Sequence, residues 1–119
     1  MQQPHRQVEV YVRAWVDEGV SVLVDRLNQF QGVWTTSSCQ GTPERGEGSI
    51  NWGHVYMFVG EEPGVPEKML TFGAWLYEIL HVADLYEYIR LRYDFCFNQL
   101  VFEFKPSHIA EITAALGRA

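Results

Sequence analysis

Cysteine and basic side chains are both scarce in this sequence. It holds two cysteines, Cys39 and Cys96, in 119 residues. A small secreted domain stapled by disulfides carries more of them at regular spacing. Both read as reduced thiols, with a single Cys39–Cys96 disulfide as the alternative. Nine lysines and arginines face fifteen aspartates and glutamates, a net charge of −6. Long nucleic acids are bound by clustered basic side chains that displace counterions from phosphate, so no long duplex is expected as a partner. An anionic membrane surface is disfavoured on the same ground. No run approaches the ~20 apolar residues of a membrane span. No segment has the basic-then-apolar layout of a secretion signal, and a cytoplasmic location is expected. Internal repeats, low-complexity tracts, a Walker pattern and a Gly-x-Gly-x-x-Gly are all missing. Cys39, Cys96, His54, His81 and His108 could ligate a metal, but Cys-x-x-Cys and His-x-x-x-His spacings do not occur, and no metal site is expected.

What is present is ordinary for a globular chain. Hydrophobic residues make up 47% and charged residues 20%, enough apolar content to exclude disorder as the main state. The length suits one domain, residues 1–119. Gln7 to Val16 alternates strictly, the signature of a half-buried strand. Asp17 is placed to cap a helix running to Phe30, with Val20, Leu23, Val24 and Leu27 along its apolar face and Gly32 beyond its end. Val33 to Cys39 and His54 to Gly60 read as strands, separated by a loop rich in glycine (Gly41, Gly46, Gly48, Gly53). After a proline-containing connector, Glu67 to Ala83 reads as a second helix. Leu85 to Tyr93 and Leu100 to Lys105 read as strands, and Pro106-Ser107 opens a last helix that Gly117 ends.

The order β-α-β-β-α-β-β-α predicts an α+β fold, a two-layer sandwich with a largely antiparallel sheet and helices on one face. The other face then collects aromatic and basic residues. Residues two apart on a strand point the same way, which groups Tyr86, Tyr88, Arg90 and Arg92, with Tyr11, Arg13, Trp15 and Trp34 on neighbouring strands. Such a face is open to three readings: cross-strand packing, a homo-oligomer interface, or a ligand platform.

The most unusual stretch is Thr35-Thr36-Ser37-Ser38-Cys39-Gln40-Gly41. Small side chains let a ligand approach the backbone, and Gly41 permits a positive φ that gathers N–H groups on one point. Thr36, Ser37, Ser38, Cys39, Gln40 and Gly41 are therefore candidate ligand-binding residues, together with His54, with Trp52 and Tyr88 to stack and with Arg90 and Arg92 to neutralise a phosphate. A buried Cys39 with hydroxyls bonded to neighbouring strands is the structural alternative. Phe95-Cys96-Phe97 places rings in a turn, either tucked under the last helix or covering the mouth of the site. Ser38 or Cys39, with His54 and Asp17 or Asp94, supplies the residue types of a nucleophilic triad, types too common to define one.

Leu27-Asn28, Thr35 to Cys39 with Gly41, and Trp52 ahead of the Val55 to Val59 strand resemble the signature of the wybutosine-synthesising tRNA methyltransferase family. That resemblance covers residues 17 to 60 and implies S-adenosylmethionine as cofactor and a modified guanosine in tRNA as substrate. Gln40 stands where that family has serine, and Thr42 where it has a basic residue. The whole layout also resembles small uncharacterised bacterial and phage proteins, through Asp17-x-Gly19-Val20, the Ser38 to Gly41 turn and Phe104-x-Pro106. That likeness implies no activity. Together these features point to a small binding protein that holds, and in the simplest case sequesters, a small polar or nucleotide-like molecule. The alternatives are a methyltransferase-like enzyme using S-adenosylmethionine, or a homo-oligomeric partner protein that works through its aromatic sheet face.

Overall fold

The computed structural model describes residues 15–42, 52–60 and 66–119. A short 3-10 turn (Glu18–Val20) leads into α1 (Ser21–Asn28), followed by β1 (Val33–Cys39), β2 (Gly53–Val59) and α2 (Pro66–Val82). A second 3-10 turn (Tyr86–Tyr88) precedes β3 (Ile89–Asp94) and β4 (Gln99–Phe104), and a third (Pro106–His108) opens α3 (Ile109–Gly117). The four strands form one antiparallel sheet in the order β1-β2-β4-β3. With three helices packed on it, this is the expected two-layer α+β fold. The expected first strand, Gln7 to Val16, lies outside the described residues except for Trp15 and Val16, which are exposed and irregular.

The core follows from the alternation in β2 and β4. Gly53, Val55, Met57 and Val59 are buried in β2 while His54, Tyr56 and Phe58 are half-buried. Leu100, Phe102 and Phe104 of β4 point the same way as the buried β2 set. They meet Leu23 and Leu27 of α1, Met69, Leu76 and Leu80 of α2, and Ile112 and Leu116 of α3. Burying one such side chain contributes about 2 kcal/mol. Gly73 lets α2 approach the sheet, since a Cβ there would sit 3.3 Å from Leu100. Within the sheet, a Cβ on Gly53 would collide with the ring of Phe104, its partner on β4.

Several local expectations are corrected. The expected Asp17–Phe30 helix is a 3-10 turn followed by the shorter α1. Asp17 makes no side-chain cap bond; its carboxylate instead accepts the Gln40 N–H at 3.1 Å. The Leu85–Tyr93 strand begins only at Ile89. Asp84 leaves α2 with a positive φ of 61°, the Leu85 N–H returns to the Leu80 carbonyl, and Tyr86–Tyr88 completes a turn before the chain extends. Tyr86 therefore packs on the His81 ring at 5.1 Å rather than joining Arg90 and Arg92 on the sheet. Ser107 does not cap α3; its hydroxyl bonds the ring of His108. Cys39 and Cys96 are free thiols. Among the described residues no helix is long and apolar enough to cross a membrane.

Candidate functional site

The face of the sheet away from the helices is ordered in rows by the strand register. Cys39, His54, Glu103 and Arg90 stand side by side on β1, β2, β4 and β3. The next row is Ser37, Tyr56, Val101 and Arg92. Beyond the first row, where β2 begins, Trp52 lies under the Arg90 guanidinium, 3.9 Å from the ring centroid. The Lys105 ammonium is 5.8 Å from both the Trp52 and Tyr88 rings. Tyr88 is stacked flat on His108 at 3.5 Å, which holds it at the rim of this end.

This face has its own small apolar floor. Val101 is fully buried although its register neighbours are the half-buried Tyr56 and the exposed Arg92. Arg92 donates to the Tyr56 hydroxyl at 3.1 Å across it. That bond raises the Arg92 pKa above its ordinary value; partial desolvation opposes the rise, and the Glu103 and Asp94 charges add to it. Arg92 also approaches Glu103 and Asp94, each at 3.5 Å, and Arg90 approaches Glu103 at 3.8 Å. Phe97 sets its ring against Tyr56 at 6.4 Å, and Phe95 is 87% exposed beside Tyr93. Neither ring is tucked under α3.

The Thr35–Gly41 segment is braced by its own polar groups. Asn28, at the end of α1, accepts the Thr35 N–H at 3.0 Å and donates to the Thr35 hydroxyl at 2.9 Å. The register slips between Thr35 and Ser37, and the extra residue, Thr36, donates its hydroxyl to the Gln99 side chain. Ser38 lies opposite Val55 and shares its helix-facing side, while Ser37 and Cys39 face the open side. Gln40 reaches back to the start of the first helical turn: its side-chain oxygen accepts the Gly19 N–H at 2.9 Å, and its own N–H goes to Asp17. Gly41 is buried with φ +71°, the left-handed conformation its position requires. The glycine-rich loop that follows, residues 43–51, lies outside the described residues.

Of the candidate residues, the structure brings Ser37, Cys39, Trp52, His54, Arg90 and Arg92 onto one face with Tyr88 at its rim. It turns Thr36 and Gln40 to internal partners and Ser38 inward. The residues of the suggested triad are not assembled. Cys39, His54 and Glu103 are consecutive across three strands, yet no hydrogen bond links them. Asp94 accepts the Cys96 and Phe97 N–H groups at 2.9 and 3.1 Å, and Asp17 is committed to Gln40. Among the described residues no group of three metal-ligating side chains is gathered. Sequence reasoning missed Tyr56, Glu103 and Lys105. The alternation of β2 and β4 already put them outward, opposite the buried Val55, Phe102 and Phe104. Comparison with family models, with curated proteins and with solved structures gives no match to this chain.

Proposed function

We propose that the protein is a binding module that holds a small polar or nucleotide-like molecule on the open face of the sheet, at the end where Trp52, His54, Arg90 and Lys105 converge beside the Cys39–Gly41 turn. The observation that carries this reading is the Arg90–Trp52 stack with Lys105 next to it. A guanidinium set over an indole is held in place while its N–H groups beyond the one facing Glu103 remain open to grip an anion. In a chain of net charge −6 with nine basic residues, Arg90, Arg92 and Lys105 share this one face. Indole, phenol and imidazole rings lie beside them, the combination that suits a base or other planar ring carrying a phosphate.

Binding rather than transformation is favoured by what the acids do. Asp17 and Asp94 hold backbone N–H groups, and Glu103 lies against two arginines. None is free to serve as a general base. Sequestration of the bound molecule is the simplest use of such a face. The test is thermal unfolding against nucleotides, cyclic dinucleotides and S-adenosylmethionine. A true ligand at a hundred times its dissociation constant adds about 2.7 kcal/mol of stability. The expected result is a shift with a phosphate-bearing member that is lost in Arg90→Ala and Trp52→Ala. No shift from any compound overturns the reading, and a shift from S-adenosylmethionine alone replaces it with the methyltransferase-like alternative.

A further inference from the structure

We propose that two copies of the chain join through the outer edge of β3, antiparallel about a two-fold axis that sets Arg92 opposite the partner's Arg92. Among the described residues β3 pairs only with β4. The phase of that ladder is fixed where the Lys105 N–H donates to the Tyr88 carbonyl at 2.9 Å. Antiparallel partners alternate between bonded and non-bonded pairs, so Arg90, Arg92 and Asp94, in step with Tyr88, spend their backbone groups on β4. Ile89, Leu91 and Tyr93 direct theirs outward, a row of donors and acceptors that no strand takes up among the described residues.

A two-fold pairing that keeps helix side against helix side and open side against open side allows few registers. With Leu91 on the axis, Arg90 meets the partner's Arg92 twice, a repulsive arrangement. With Tyr93 on the axis, only Arg92 to Asp94 can pair, because the turn begins at Phe95. With Arg92 on the axis, the whole stretch Arg90 to Asp94 pairs. Arg90 then meets the partner's Asp94 on both sides, and Leu91 exchanges backbone bonds with the partner's Tyr93. The single axial Arg92 pair is a like-charge contact, outweighed by the two Arg90–Asp94 pairs and reduced by where the axial side chains go. Each is drawn back over its own sheet by Tyr56 and Glu103.

The helix side of the same edge is apolar, and among the described residues nothing covers it. A groove of about 390 Å³ runs between β3 and α2, and Leu70 and Tyr77 on its wall are 57% and 45% exposed. The chosen register carries the partner's Tyr93 opposite Leu91 and brings the exposed Phe95 ring one step beyond. Each copy thereby supplies the apolar side chains that the other copy's edge lacks. The pairing does not depend on the ligand reading, and its test reads mass rather than binding.

Sedimentation velocity across a range of concentrations is expected to show a dimer. In Arg90→Asp, two attractive pairs become repulsive, and dissociation is expected about ten-fold more readily or beyond. The register is tested by Arg92→Cys in a Cys39→Ser, Cys96→Ser background. Across a non-bonded antiparallel pair the Cα atoms lie about 4.5 Å apart, within disulfide reach. Mild oxidation is expected to cross-link Arg92→Cys but not Arg90→Cys, whose counterpart lies several residues along the strand. A monomer at every concentration, a dimer indifferent to Arg90→Asp, or a dimer that Arg92→Cys fails to cross-link overturns the proposal.

Discussion

The Tyr56 hydroxyl and the Arg92 guanidinium meet at 3.1 Å across Val101 and close it off from water. A side chain facing away from the helices is thus as buried as the core. The cover is a hydrogen bond between two residues on strands that do not touch each other, since β4 runs between them.

Tyr56→Phe tests that cover. It keeps the ring and removes the acceptor, so the loss is one hydrogen bond to a charged donor at a half-exposed position, about 1 kcal/mol. Arg92→Ala also bares Val101 and costs somewhat more. Because both variants break the same bond, the double variant should cost less than the two singles together, by about 0.5–1 kcal/mol in denaturant unfolding. Strict additivity would mean that the two side chains act separately.

Gly19 and Gln40 make a second coupled pair. A Cβ on Gly19 would lie 2.6 Å from the Gln40 side-chain oxygen that accepts the Gly19 N–H. Gly19→Ala must therefore push Gln40 away and lose the bond, a cost of about 1 kcal/mol. In a Gln40→Ala background the obstruction is gone, and the same Gly19→Ala change should be close to neutral. An equal cost in both backgrounds would show that Gly19 is needed for another reason.

Gly53 is a position where a methyl group meets immovable neighbours. It stands opposite Phe104, and a Cβ there would overlap that ring and come within 2.9 Å of the Cys39 carbonyl. Phe104 is fully buried and has no room to retreat. Gly53→Ala should cost about 2–3 kcal/mol, as overpacking of a tight core does. Phe104→Leu should recover part of that loss when combined with it, read as the unfolding midpoint of the double variant against Phe104→Leu alone.

Alternation and helical spacing made much of this fold legible. The strand Val33–Cys39 has the expected bounds, and β2 and α2 are displaced by a single residue. Each of these segments is specified by its own side chains. Where local chemistry offered an equally good local answer, the reading failed. Asp17 looked like a helix cap because nothing nearby in sequence showed that Gln40, 23 positions on, would present an N–H to it. Tyr86 and Tyr88 continued the alternation of β3, but α2 had first to be ended through Asp84, and that turn consumed them. The extra residue at Thr36 left no local trace at all, since a bulge is a property of two strands in register rather than of one. The site divides the same way. Arg90 and Arg92 were placed by period two, whereas the bracing of Gln40 came from tertiary packing.

Glu103 decides how strongly the open face attracts an anion. Its carboxylate lies 3.8 Å from Arg90 and 3.5 Å from Arg92, while both arginine side chains remain about half exposed. Exposed pairs of this kind add little to stability, so Glu103→Gln should change the unfolding free energy by less than about 1 kcal/mol. Its effect on binding should be larger than its effect on folding. Removing the negative charge takes from Arg90 and Arg92 the carboxylate they share and leaves Asp94 beside Arg92 alone, and the affinity for ATP, taken as an anionic ring-bearing probe, should rise several-fold. Arg90→Ala should lower it by a comparable factor. Both effects are Coulombic across a wet surface, so both should fade as salt is raised toward 1 M, where the screening length falls to about 3 Å. Titration calorimetry at two salt concentrations reads all of this. If Glu103→Gln weakens ATP binding instead, the carboxylate is itself a ligand contact, and the molecule that belongs on this face carries a donor or a cation rather than a phosphate.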